Sequence, residues 1–338
     1  MFNREIFSYG RLRDRGVWRA FMLVIFTLLA LGGIVLSLTK GALFISLTDI
    51  VSAIFDPTSG ANRQIIWNIR LPRTLVGALV GINLALAGAI LQGVMKNPLA
   101  DPHIIGISSG AGLAGVTIMV LFPHKEYLVT PIAFVGAMTA AVFIYILAWK
   151  GGIRPVRIIL AGVAVSAFLN SGISALMVFY SDRVHGALMW MVGGLSARSW
   201  PHLDIILPYT ILGGILALLG ARRLNILNLG DDIARGLGLN VEVSRITLTA
   251  VAALLAASAV SVVGLLGFVG LIVPHAARLL IGSDYRYLLP ASAILGVAVV
   301  TLSDTLARVA FSPIEIPVGI IMAFVGAPFF LYLLRRDA

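Results

Sequence analysis

The chain has 338 residues, of which 59% are hydrophobic and only 12% charged, and its mean hydropathy is +1.00. A soluble domain carries roughly twice that charge fraction, and several apolar runs here reach membrane-spanning length, so the composition excludes a soluble globular protein and predicts an all-α polytopic membrane protein. The net charge of +10 and the absence of cysteine exclude more: disulfides, thiolate metal sites and cysteine nucleophiles are out, and the basic residues are distributed as a membrane protein needs rather than as a nucleic-acid surface.

Arg4, Arg11, Arg13, Arg15 and Arg19 crowd the N-terminus, so residues 1–16 read as a basic cytoplasmic arm and the first span, 17–38, runs outward. That run is too long for a signal h-region and lacks a small-residue cleavage site, which predicts a retained helix. Residues 41–66 are mixed in polarity, with turn signals at Asp56-Pro57 and Ser59-Gly60, and read as an external loop with room for a short surface helix. A second span, 72–95, returns inward to Lys96 and the turn NPLADP. A third, 104–121, goes out, and a fourth, 128–149, comes back to a loop holding Lys150, Arg154 and Arg157.

The fifth span, 157–180, carries Asn170 and Ser171 at its middle. Ser181–His202 is too polar to cross and predicts a short amphipathic helix on the outer surface. The sixth span, 203–221, returns to Arg222 and Arg223 and a polar loop at 222–245. Residues 246–281 would be about 54 Å long as one helix, too long for a single crossing. Gly264, Gly267 and Gly270 offer the turn, giving spans at 246–263 and 266–282. Spans at 288–310 and 317–334 then bring the chain back to Arg335 and Arg336. A single crossing over 246–281 would strand those two arginines outside, so ten spans with both termini cytoplasmic is the expected count. No linker divides residues 1–338, which read as one transmembrane domain.

No lysine follows a glycine, so the chain lacks a GxxxxGK phosphate loop, and any ATP hydrolysis must occur on another chain. The five histidines show no metal-ligand spacing, and no serine–histidine or paired-acid arrangement suggests a hydrolase. Arg70 and Arg73 stand three apart at the outer end of the second span. They read either as snorkelling side chains or as docking points for an acidic partner outside, since a guanidinium grips a carboxylate in two places. Arg308 is a further candidate; Asp304, four residues before it, reads as its structural partner rather than a proton relay. Asn83, Gln92, Asn170 and Ser171 are polar residues within spans that either line a wet pathway or bond between helices. Gly77/Gly81 and Gly106/Gly110 allow close helix packing. In LNLGDDIARGLGLNVEVSR (227–245), Gly230 with Asp231 and Asp232 starts a short helix, Ile233, Ala234 and Leu237 share one side, Gly238 ends it, and Val241–Arg245 forms a second turn.

Together the RLPR entrance, NPLADP with GISSGAG, GDDIARGLG, GFVGLIVPHAAR (267–278) and the IEIPVGIIMAFVGAPFFLYLL ending resemble one family over roughly residues 20–335. It is the iron–siderophore, haem and cobalamin uptake permeases (FecCD-type) of ATP-binding-cassette (ABC) importers. The resemblance implies a ten-helix type II importer permease of a bacterial cytoplasmic membrane, paired with a second permease subunit. Two cytoplasmic ATPase subunits would use the ATP, an extracytoplasmic binding protein would deliver a metal chelate, and this chain would hold no cofactor. It further implies docking at Arg70, Arg73 and Arg308, and a cytoplasmic gate at Asn97, Pro98 and Leu99. ATPase coupling would fall at Asp231, Asp232, Ala234 and Gly238. Against an EAAxxxG pattern, Asp232, Ala234 and Gly238 match the first, third and last positions, whereas Ile233 departs. The cargo implied is an iron(III)–siderophore, with haem or cobalamin as the alternative. An ion-coupled secondary transporter is the rival from another class, and Asp304 is its one obvious coupling acid.

Overall fold

A computed structural model describes residues 11–41, 43–56, 60–103, 106–150 and 155–337. The first ten residues of the expected arm, the Pro57–Ser59 turn, Ile104 and Ile105 at the start of the expected third span, and Arg154 lie outside them. Among the described residues the chain is helical with no strand. The helices are α1 (Arg11–Thr39), α2 (Leu47–Phe55), α3 (Gly60–Ile65), α4 (Leu71–Met95), α5 (Ile107–Leu121), α6 (Val129–Ala148) and α7 (Pro155–Phe179). They continue with α8 (Val184–Val192), α9 (Trp200–Asn228), α10 (Asp231–Gly236), α11 (Val241–Val263), α12 (Val269–Ile281), α13 (Tyr285–Val309) and α14 (Val318–Asp337).

Among the described residues, seven stretches are long and apolar enough to cross a bilayer: α1, α3–α4, α6, α7, α9, α11 and α13. Three shorter apolar helices, α5, α12 and α14, fall where the remaining expected spans stand.

Helix α4 is the axle. It is apolar on every side between Thr74 and Met95, and such a helix buries itself all round. It packs on α13, α11, α9 and α12. Two glycines set how close those neighbours come: a Cβ on Gly81 would overlap the Gly296 carbonyl of α13, and one on Gly88 would overlap the Gly270 carbonyl of α12. The two polar residues in its inner half are spent on the same contacts. Asn83 Nδ2 donates to Ser258 Oγ of α11 at 2.9 Å, and Gln92 Nε2 donates to the Leu271 carbonyl of α12 at 3.2 Å. For Asn83 and Gln92, interhelical bonding replaces the pathway-lining alternative, because both are buried in the bundle.

Three boundaries differ from expectation, each for a local reason. The external loop is largely helical: α3 runs into α4 through one wide π-turn, Ile66–Arg70. The 222–245 loop shrinks to 229–240, because α9 continues through Arg222 and Arg223 and the expected second turn becomes the start of α11. Asn240 causes this by N-capping α11, its side chain accepting from the Val243 N–H at 3.1 Å. Helix α8 forms as expected but does not lie free on the surface, since Ala187 and Trp190 are buried and Trp190 fills the space beside Gly115 of α5.

Gly81→Val should lower the thermal midpoint of the solubilised protein, because overpacking a tight contact costs about 1–3 kcal/mol. Gly214→Val, where an added carbon meets no atom within 4 Å, should leave it unchanged. Equal midpoints would contradict the close α4–α13 approach.

Candidate functional site

Functional groups gather at three levels along α4. At its N-terminal end Arg73 grips Asp304 of α13 with two bonds, Nη2 to Oδ1 at 2.9 Å and Nε to Oδ2 at 3.1 Å. Its third nitrogen, Nη1, donates to Glu315 Oε2 at 2.8 Å. Arg308 joins from one turn along α13, its Nε 3.2 Å from Asp304 Oδ2. Two guanidinia therefore share one buried carboxylate, the arrangement that makes a charge tolerable away from water.

Arg70 and Arg308 have a second task. The last carbonyls of α1 have no partner within that helix. Arg70 Nη1 donates to the Leu38 and Thr39 carbonyls at 2.7 and 3.0 Å, and Nη2 reaches the Leu43 carbonyl. Arg308 Nη2 donates to the Ser37 carbonyl at 3.0 Å and to Ser37 Oγ at 2.9 Å. These cations sit at the negative end of the α1 dipole.

Neither the snorkelling nor the docking alternative for Arg70 and Arg73 includes these internal partners. The π-turn before α4 sends Arg70 toward α1 and Arg73 toward α13, and Arg70, Arg73 and Arg308 are only 5, 6 and 5% exposed. Within this cluster Glu315, with a side chain 44% exposed, is the group that reaches the surface. Asp304 does serve as a partner for Arg308. Its stronger partner is Arg73, whose 231-residue separation no local pattern reveals.

At the middle level two helices stop short. At 1.5 Å per residue α5 is about 22 Å long and α12 about 20 Å, less than the roughly 30 Å of hydrocarbon. Among the described residues, coil precedes each of them, 96–103 before α5 and 264–268 before α12. Irregular backbone at membrane depth survives where it is buried in protein or lines a cavity. Here the two coils meet: Asp101 and Pro102 lie against Gly270, and the His103 ring lies beside Gly267. They border a cavity of about 650 Å³ closed on one side by Gly319, Ile320 and Ala323 of α14. Phe268 begins α12 with a left-handed φ of 67°, and its ring fills the space a side chain on Gly326 of α14 would need. Asp101 and His103 were not singled out from the sequence, where NPLADP read only as a turn. Asn170 and Ser171 of α7 lie elsewhere, exposed on a helix that the rest of the chain hardly covers.

At the inner end, Asn97 makes an Asx turn, its Oδ1 accepting from the Leu99 N–H at 2.9 Å; Pro98 is exposed, and Asn97 and Leu99 are half-buried. Helix α10 lies close by. The expected common face of Ile233, Ala234 and Leu237 splits in two: Ala234 is fully buried, whereas Ile233 and Leu237, one turn apart, are 55% and 61% exposed. Gly238, at φ +81°, closes α10 in a conformation that favours glycine. Asp232 is exposed and pairs loosely with Arg235 at 3.4 Å. Asp231 Oδ1 accepts from Lys96 Nζ at 2.7 Å and Arg245 Nη2 at 2.8 Å. Partial burial works against that carboxylate, but the two cations outweigh it and hold its pKa below the usual range. The contact is therefore intact at neutral pH and is lost only as the pH falls below about 3.9. Among the described residues no three His, Asp or Glu side chains converge as a metal site.

Residues 27–336 match the FecCD transport family. The chain belongs to that family. Its relatives include the Fe(3+)-citrate import system permease protein YfmD of Bacillus subtilis, 39% identical over 97% of this chain and 98% of that one. The hemin transport system permease protein HmuU of Yersinia pestis is 38% identical over 97% and 98%. The cobalamin import system permease protein BtuC of Halobacterium salinarum is 45% identical over 80% and 73%. A solved structure described as an inward-facing metal-chelate type ABC transporter superposes with a TM-score of 0.83 at 29% identity, covering 94% of this chain and 99% of that one. This FecCD-family chain is a permease subunit of a metal-chelate-type ABC importer and a multi-pass membrane protein.

Arg73→Met should cost about 3–5 kcal/mol, because removing one partner of a buried pair leaves charge uncompensated. Arg73→Met with Asp304→Leu should recover part of that loss in thermal melts, and a double variant as unstable as the sum of the singles would contradict the pairing.

Proposed function

We propose that this chain carries an iron(III)–siderophore complex across a bacterial cytoplasmic membrane by way of the cavity where the 96–103 and 264–268 coils meet. That meeting is the observation that carries the reading, since paired broken helices mark substrate pathways in transporters. The cargo assignment is supported by relatives named for Fe(3+)-citrate and iron(3+)-hydroxamate import, and the haem and cobalamin relatives make those the second reading. An ion-coupled mechanism finds less support, because Asp304 is held by two arginines rather than free to exchange a proton.

The chain crosses ten times with both termini cytoplasmic, as the charge distribution favours. A second permease subunit covers α7 and α14, where Phe168, Phe324, Asn170 and Ser171 are left exposed by this chain alone; polar side chains there are costly against lipid and suit a wet pathway between two subunits. One of the two ATPase subunits seats on this chain's α10 through Ile233 and Leu237, apolar residues exposed in a loop beyond the spans. Asn97, Pro98 and Leu99 form the inner gate, and alternating access moves the chelate past it. An extracytoplasmic binding protein docks at the outer cluster, where one of its carboxylates reaches Arg73 by replacing the half-exposed Glu315, while Arg70 and Arg308 keep that end rigid.

Uptake of radiolabelled ferric siderophore, ferric citrate, haem and cobalamin by cells producing the whole importer tests the cargo. Ferric chelates should enter and compete with one another; uptake of haem or cobalamin alone would reverse the assignment. Ile233→Glu with Leu237→Glu should strip the ATPase from the purified complex, and retention of full ATPase would move its seat elsewhere.

A further inference from the structure

We propose that Lys96, Asp231 and Arg245 form an ionic strut that carries motion of α10 directly into the inner gate, making Lys96 and Arg245 positioning residues for transport. The inference rests on the reading of α10 as the ATPase seat and adds the path by which that seat reaches the gate.

Three elements end within reach of a single atom. Asp231 opens α10, Lys96 follows the last residue of α4, and Arg245 lies in the first turns of α11. Both cations converge on Asp231 Oδ1, at 2.7 and 2.8 Å. Helix α10 has only six residues, and of these only Ala234 is buried, so little packing ties it to the bundle. Its outward side chains, Ile233 and Leu237, are where a partner would press. A displacement there moves Asp231, and Asp231 is held to α4 and α11 at once.

Lys96 carries a second, independent sign. Its φ of 51° and ψ of 36° are left-handed, the position after a helix where glycine is favoured and a side chain costs free energy. The backbone around it closes α4 in the usual manner, with Lys96 N–H to the Gly93 carbonyl at 3.3 Å and Asn97 N–H to the Gln92 carbonyl at 3.1 Å. Glycine would serve that closure at least as well. What lysine adds is the ammonium on Asp231, and the next three residues are the gate turn. The Lys96–Asp231 pair, with side chains 33% and 30% exposed, contributes little to stability. The strut therefore matters as a mechanical connection more than as a source of folding free energy.

The test uses the chain assembled with its ATPase and binding protein in proteoliposomes, reading ATPase co-purification, ATP hydrolysis, chelate uptake and thermal midpoint together. Lys96→Gly relieves the left-handed strain, so its midpoint should not fall. The ATPase should stay bound and active while uptake per ATP drops by about threefold to thirtyfold, the range expected when coupling residues are altered. Lys96→Arg, which keeps the cation, should retain unaltered uptake per ATP. Asp231→Asn should lower it as Lys96→Gly does, and the two combined should do no worse than either, since both break one connection. Unaltered uptake per ATP in Lys96→Gly, or losses that multiply in the double variant, would overturn the strut. Failure of the ATPase to co-purify with the unaltered chain would instead overturn the α10 seat, and the strut with it.

Discussion

Inside a bilayer no water satisfies a backbone carbonyl or N–H, and that constraint fixes where this chain may end a helix and where it may break one. The free carbonyls at the end of α1 are taken by Arg70 and Arg308, which come from α4's approach and from α13. The carbonyl end of α12 is met by α1, through the Trp18 indole on Leu280 at 2.8 Å and Arg19 Nε on Ile281 at 3.2 Å. Each capping group belongs to another element, so the helix ends are also what lock α1, α4, α12 and α13 together. Breaks between helices obey the same rule. The coils before α5 and α12 meet each other and border a cavity.

Helix α4 inherits both roles. Its glycines let α12 and α13 approach to backbone contact, and its two ends carry the charges. Arg73 sits in a nearly closed ionic cluster at the outer end, and Lys96 in a partly exposed one at the inner end. The two clusters differ in burial, and with it in freedom. A buried, doubly satisfied cluster is rigid, whereas a partly exposed contact is freer to move.

Much of this was legible in the sequence, because apolar run length and alternating basic loops are direct consequences of the bilayer. The ten apolar helices, the split of 246–281 and the Asp304–Arg308 pair, one helical turn apart, all follow from local pattern. The capping roles of Arg70 and Arg308 do not, because the carbonyls they meet are 31 and 271 residues distant for Thr39 and Ser37. Nor does the burial of Arg73, since a basic residue at a span's end looks the same whether it snorkels or pairs. For Asn83 and Gln92 the sequence left two readings open, and their partners on α11 and α12 decide between them. The meeting of NPLADP with the 264–270 segment was hidden for the same reason: nothing local to either stretch shows that they touch. Ile233 and Ala234 show the reverse error, adjacent residues assigned to one face when helical geometry puts them on different ones.

The proposed permease is a conduit powered from outside the chain. Its most direct test is chelate uptake into proteoliposomes holding the permease with its ATPase and binding protein, with ATP on the ATPase side and every ion gradient collapsed. Accumulation that stops when ATP hydrolysis is blocked is the predicted result. Uptake that ignores ATP and returns only with a proton or sodium gradient would contradict it.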